Sequence, residues 1–149
     1  MGAEVEDFLG ATMPRLNEAE IALHNGDAGP RIAMWSHTDP VTLFGAAMGG
    51  TGWAEIGPIF EQLGSTMSNC TAYENEVVAA GASGDLAYIV ALEHTTASVK
   101  GAPPQPYVLR VTTVFRREGG EWKVVHRHGD PASDSGRAMV QQLTSTSAG

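Results

Sequence analysis

The sequence predicts an α+β domain in which helices come first and a meandering antiparallel sheet follows. Two observations carry this. Before residue 68 the apolar residues recur every three or four positions, the spacing of a helix face; after it, β-branched and aromatic runs alternate with short breaks of Gly, Pro and Asp. A chain of 149 residues is also the size of one ordinary domain, able to close a single hydrophobic core without a disulfide or metal staple.

From Glu4 to about Asn25, the residues Val5, Phe8, Leu9, Met13, Leu16, Ile21 and Leu23 mark a first helix. Pro14 is placed to kink it or to begin a second piece, and Gly26 stops it. Asp27 suits the N-cap of a short helix carrying Ile32, Met34 and Trp35, which the Asp39-Pro40 pair ends ahead of a strand, VTLFG. A flexible GAAMGGTG stretch follows. Thr51 then caps a third helix, WAEIGPIFEQLGSTM, whose Trp53, Ile56, Ile59, Phe60 and Leu63 form one apolar stripe.

Four strands are predicted beyond it: NCTAYENEVVAAG, LAYIVALEHTTASV, PYVLRVTTVFRR and EWKVVHRH. The breaks between them, GASGD, KGAPPQP and EGGE, are short enough for hairpins, which makes the sheet antiparallel. Residues 1–131 read as the domain. Residues 132–149, rich in Ser, Thr, Gly and Ala, read as a partly disordered tail in which MVQQL forms at most a brief helix.

With 17 acidic against 9 basic side chains, the chain would be repelled by a phosphate backbone, so no nucleic-acid partner is expected. The late basic residues Arg110, Arg116, Arg117, Lys123 and Arg127 have the density of two neighbouring strands, where pairing with carboxylates serves as well as a binding patch. The single Cys70 makes no internal disulfide, and nothing near it has zinc-site spacing. MGAEVEDFLG is acidic where a secretory signal is basic, and no apolar run approaches the roughly 20 residues of a membrane span. A soluble cytoplasmic protein with no membrane contact is the expectation.

The stretch that invites a chemical reading is EWKVVHRHGDP, residues 121–131. In an extended strand alternate side chains share a face, so Trp122, Val124, His126, His128 and Asp130 are expected on one side and Lys123, Val125 and Arg127 on the other. An apolar floor that runs into two imidazoles reads as the wall of a half-buried cavity.

The order of helix, ALHNGD, helix, short strand, GW-headed helix and meander resembles the nuclear transport factor two-like superfamily, which includes SnoaL-like polyketide cyclases and ketosteroid isomerase. LRVTTVFRREGGEWKVVHRHGDP is similar to the closing hairpin of the SnoaL-like proteins and of the calcium/calmodulin-dependent kinase association domain. The resemblance implies a cystatin-like cone: a strongly curved sheet wrapped around the N-terminal helices and a pocket, with its outer face pairing two subunits. It also implies that His126 and His128 line the pocket. If the EGGE hairpin pairs Arg116 with Trp122, Thr112 falls opposite His126 and Arg110 opposite His128, all on the inner face.

Ketosteroid isomerase chemistry needs an Asp base with Tyr and protonated Asp donors. Counting from ALHNGD, the Tyr position falls near Ala19, the base near Leu43 and the protonated Asp near Thr112 or Thr113, so that mechanism is disfavoured. The Asp-Arg-Asp device of limonene epoxide hydrolase-like relatives is only partly present: Arg110 is kept, Thr112 stands in the place of one Asp and His128 near the place of the other. What is left is cofactor-free acid-base chemistry of isomerase, cyclase or hydratase type on a small carbonyl or carboxylate compound. His128 is the first candidate, with His126 beside it and Arg110 to hold a carboxylate or enolate. Glu93 or His94, according to the phase of LAYIVALEH, would orient the imidazole; Thr112 would line the pocket, and Trp35, Trp53 and Phe60 would be pocket wall or core.

A His-x-His metal site would need Asp130, Glu93 or His94 to converge, and no bound metal is expected. Two plainer readings stand beside these: histidines that only support the hairpin, and a non-catalytic binding or association module. A homodimer is expected through the outer sheet face, on the premise that Val111 and Val125 lie there beside Lys123 and Arg127.

Overall fold

The computed structural model describes residues 2–132 and 134–145. The first helix, α1 (Ala3–Leu23), runs unbroken through Pro14 and turns its buried side, Val5, Phe8, Leu16, Ala19 and Leu23, onto the sheet. The short α2 (Gly29–Met34) has Pro30 in its first turn, where a missing N–H costs nothing, and the Asp27 carboxylate accepts from the Gly29 N–H at 2.9 Å. Two three-residue strands, β1 (Thr42–Phe44) and β2 (Gly49–Thr51), make a hairpin where the sequence suggested one strand and a flexible stretch. After α3 (Trp53–Thr66) come the long strands β3 (Met67–Ser83), β4 (Leu86–Val99), β5 (Gln105–Glu118) and β6 (Glu121–Pro131).

The six strands form one curved, unclosed sheet in the order β2-β1-β6-β5-β4-β3, with β1 parallel to β6 and the other pairs antiparallel. Its inner face packs on the helices. Phe8 meets Phe115 and Trp122 edge to face at 5.0 and 5.1 Å, and Trp35 meets Phe60 at 5.1 Å, so the core centre is aromatic. A second apolar cluster of Met67, Val99, Tyr107, Leu109, Val111 and Met139 lies under α4 (Asp134–Thr144), a helix longer than the brief MVQQL piece expected in the tail. Residues 133 and 146–149 of that tail lie outside the described residues. No described helix is long and apolar enough to cross a membrane.

One irregularity decides which side chains face inward. On β5, Val114 pairs with His126, but the next residue, Phe115, pairs with Val124, leaving Val125 as an extra residue in β6. Such a bulge breaks the alternation. Trp122 and Val124 are buried before it and Arg127 and Gly129 after it, whereas His126 is half-buried and His128 exposed.

The expected sidedness of β6 is thereby corrected: His126 and His128 stand on the outer face and Arg127 on the inner. The hairpin register is corrected too. Arg117, not Arg116, pairs with Trp122; Thr112 pairs with His128 and Arg110 with Asp130. Arg110, Thr112 and the histidines do share one face, but it is the outer one. Val111 is buried, 3% exposed, and Val125 packs at the margin of the main core, so the premise that these two valines cover the outer face does not hold.

Candidate functional site

The buried chemistry gathers between the end of α1, the start of α2 and the inner face of β4, β5 and β6. A helix that must bury one stripe against a sheet normally fills it with apolar residues. Here Glu20 stands in that stripe one turn after Leu16, and it is only 2% exposed. A buried carboxylate needs paired cations and hydrogen bonds. Both are present.

Arg31 Nη2 donates to both oxygens of Glu20 at 2.5 Å, and Arg127 Nη1 lies 3.8 Å from Glu20 Oε1. Arg127 in turn makes a two-pronged pair with Glu93, Nη1 to Oε2 at 2.9 Å and Nη2 to Oε1 at 2.8 Å. Burial alone would raise the Glu20 pKa, but the guanidiniums of Arg31 and Arg127 outweigh it and hold the carboxyl at about 2. Burial disfavours the charged form of Arg127, and Glu93 and Glu20 overcome that, raising its pKa further.

His24, one turn beyond Glu20, is 4% exposed and held at both ring nitrogens. Nδ1 donates to the Glu20 carbonyl at 2.7 Å, so Nε2 is the bare nitrogen and accepts from the Tyr107 hydroxyl. Burial lowers the His24 pKa below the ordinary imidazole value, against the pull of the Glu20 carboxylate, and keeps the ring neutral at pH 7. Burial likewise raises the Tyr107 pKa, with Glu20 and Glu93 adding to it, so the phenol stays protonated. The two form a neutral donor–acceptor pair.

Beside this pair is a cavity of about 60 Å³ whose wall includes His24, Arg31, Glu93, Tyr107 and Arg127 among apolar residues such as Leu43, Phe60, Leu63 and Met67. The Gly45–Met48 turn and Met139 and Leu143 of α4 complete the wall. Within the polar cluster the Nε of Arg31 is buried without a hydrogen-bond partner among the described residues.

Of the residues singled out from sequence, the structure brings only Phe60 and Glu93 to this cavity. The choice between Glu93 and His94 is resolved by strand phase: Glu93 points in, and His94 points out to Glu76 at 2.9 Å. Trp35 is core, and Trp53 stacks on His37 with ring centroids 3.9 Å apart. His126, His128, Arg110 and Thr112 lie outside the cavity. His126 Nδ1 is 2.7 Å from Thr42 Oγ1, both imidazoles meet the exposed Phe44 edge to face, and Arg110 is paired in two-pronged fashion with Asp130 at 2.7 and 2.8 Å.

Glu20, His24, Arg31, Tyr107 and Arg127 were missed. A legible signal existed for Glu20, a charge in phase with an apolar stripe. For the others the sequence carried none, because their partners come from distant elements.

A His-x-His metal set is not assembled, since Glu93 is on the opposite face and Asp130 and His94 are engaged elsewhere. The described residues do gather Glu74, Glu76 and His94, with ligand atoms within 4.8 Å of one another, on the outer face of β3 and β4.

No curated protein matches the chain. Among solved structures, a candidate dehydratase of the NTF2-like family from Streptomyces avermitilis is similar at 17% identity and a TM-score of 0.67, over 86% of this chain and 98% of that one. A candidate ketosteroid isomerase from Parabacteroides distasonis is similar at 14% identity and a TM-score of 0.62, over 83% and 89%. A candidate calcium/calmodulin-dependent kinase II association domain from Exiguobacterium sibiricum matches at 11% identity and a TM-score of 0.63, over 89% and 98%. At such identities the likeness is one of fold. The family model described as the SnoaL-like domain matches residues 16–132, from the second half of α1 to the end of β6, and the chain belongs to the SnoaL-like domain family.

Proposed function

We propose that this protein binds a compact, partly apolar small molecule in the cavity beneath α4 and handles a proton there through Tyr107 and His24. The observation that carries the reading is the buried Tyr107–His24 hydrogen bond in the wall of a largely apolar cavity. Ligand sites of this kind are apolar with a few convergent polar groups.

The pair offers a specific proton path. A ligand proton passes to the Tyr107 oxygen as the Tyr107 proton passes to His24 Nε2; the imidazolium so formed is held by the Glu20 carbonyl at Nδ1 and by the nearby Glu20 carboxylate. The reverse relay, His24 Nε2 returning its proton to the Tyr107 oxygen as Tyr107 gives one proton to a different ligand atom, completes an isomerisation, cyclisation or hydration step without a cofactor and restores both groups. That the Streptomyces avermitilis neighbour is a candidate dehydratase and the Parabacteroides distasonis one a candidate ketosteroid isomerase supports this class of reaction.

The test is native mass spectrometry of the purified protein for a co-purified compound, followed by titration of that compound against Tyr107→Phe. Its binding should perturb the His24 ring resonances, and the Phe variant should bind it with turnover reduced by about 100-fold or more. A ligand that leaves His24 undisturbed would overturn the reading.

A second reading, an association module, is favoured by the outer sheet face. Val78, Leu86, Tyr88 and Phe44 are exposed by 63, 58, 44 and 55%. An open depression of about 310 Å³ lies among Val78, Val90, Leu92, Arg110, Thr112 and His128. Similarity to a candidate association domain supports self-pairing of this face in a homodimer, which is compatible with an occupied cavity. The histidines, Arg110 and Thr112 would then be interface residues.

A further inference from the structure

We infer that the compound the cavity accepts is uncharged and carries an oxygen acceptor, and that a carboxylate of the same shape is rejected. The inference rests on the cavity reading above and narrows its substrate class.

Two guanidiniums, Arg31 and Arg127, reach the cavity wall, which at first suggests a site for an anion. Each is already matched by a buried carboxylate, Arg31 by both oxygens of Glu20 and Arg127 by both oxygens of Glu93. The formal charge of the four groups sums to zero. Tyr107 and His24 add none, because the phenol's proton is directed to the bare Nε2 of an imidazole already donating from Nδ1. The rest of the wall, including Leu23, Leu43, Phe60, Leu63 and Met139, returns nothing to a desolvated anion. A carboxylate moved there from water loses its hydration and meets no net positive charge.

A neutral acceptor meets a different balance. Arg31 is 5% exposed, and its Nε–H is a buried donor without a partner among the described residues, on a side chain that lines the cavity. An unmatched buried donor is costly, and an acceptor oxygen from a ligand removes that cost. A carbonyl, amide or ether oxygen on a small apolar frame supplies that acceptor, while the Tyr107 hydroxyl stays on His24 Nε2.

The experiment compares two probes of one shape, isobutyramide and isobutyrate, titrated at neutral pH with His24 and Tyr107 ring resonances as the readout. The amide is expected to bind at least about tenfold more tightly than the carboxylate. Glu93→Gln, which leaves the wall with one net positive charge, should tighten isobutyrate by about tenfold or more and change isobutyramide by less than about threefold. Glu20→Gln should act in the same direction and replaces Glu93→Gln if that variant fails to fold. Equal or tighter binding of isobutyrate to the unaltered protein overturns the inference and leaves the cavity reading standing. Failure of both probes to move either resonance overturns the cavity reading, and this inference with it.

Discussion

The Tyr107 hydroxyl donates to Nε2 of His24, joining the middle of the sheet to the end of the first helix across the wall of the cavity. Because Nδ1 of the same ring is committed to the Glu20 carbonyl, His24 should be a single neutral tautomer. Nitrogen NMR should find Nδ1 protonated and Nε2 bare at neutral pH, with the titration displaced below that of a free imidazole because burial disfavours the charged ring. Tyr107→Phe removes the donor and strands Nε2, at a cost of about 1 to 3 kcal/mol by urea unfolding. An imidazole that titrates as in water would break this account of the pair.

The Arg127–Glu93 pair tests the phase of β6. Both residues are buried, at 7 and 2% exposure, so Arg127→Ala leaves a carboxylate uncompensated in the core and should cost about 3 to 5 kcal/mol. Replacing both by Leu should cost less than that single change, since neither charge is then stranded. His128→Ala, on the exposed outer face, should stay within about 0.5 kcal/mol. If the histidine proves the costlier substitution, the inward and outward faces are exchanged.

Acid should unfold the protein in two stages. His24 has a lowered folded pKa, so the unfolded state takes up its proton first; that contribution is complete above the unfolded value near 6.5 and is lost as pH falls below it. Glu20 is depressed from 4.5 to about 2, so its contribution is present above 4.5 and is lost as pH falls through that interval. Both have the same sign. Urea midpoints should fall from pH 7 toward pH 5, and again from pH 4.5 toward pH 2. Glu20→Gln should flatten the second fall, and a midpoint that rises on acidification would contradict both assignments.

Helix α4 should govern access to the cavity. Met139 is buried and, with Leu143, lines the cavity, while Lys100 Nζ ties the end of the helix through the Ser145 carbonyl at 2.9 Å. A chain ended after Ala132 uncovers Met67, Leu109 and Val111 and should bind an apolar dye such as anilinonaphthalene sulfonate several-fold more strongly. Unchanged dye binding would mean that α4 does not cover that surface.

The outer face should carry the dimer. Sedimentation at micromolar concentration should give twice the chain mass, and Tyr88→Glu, which puts a charge on a side chain 44% exposed in the isolated chain, should shift the protein to monomer without loss of thermal stability. A monomer before substitution removes the proposal.

The sequence by itself determined the order of the first three helices and the four long strands, because helix and strand periodicity are set by neighbours within a turn or a pleat. β4 begins and ends where its apolar and turn residues predict, at Leu86 and Val99, whereas Glu20, a charge in phase with an apolar stripe, was passed over. Tertiary structure alone decided which residues face the cavity. Strict alternation carried from Trp122 and Val124 puts His126 and His128 inside, and nothing within EWKVVHRHGDP announces that Val125 is extra. The bulge exists only in the pairing of β6 with β5, and it brings Arg127 against Glu93, 34 positions away. His24 and Tyr107, 83 positions apart, meet for the same reason: the curvature that encloses a cavity is a property of the paired sheet, which a single strand's alternation does not record.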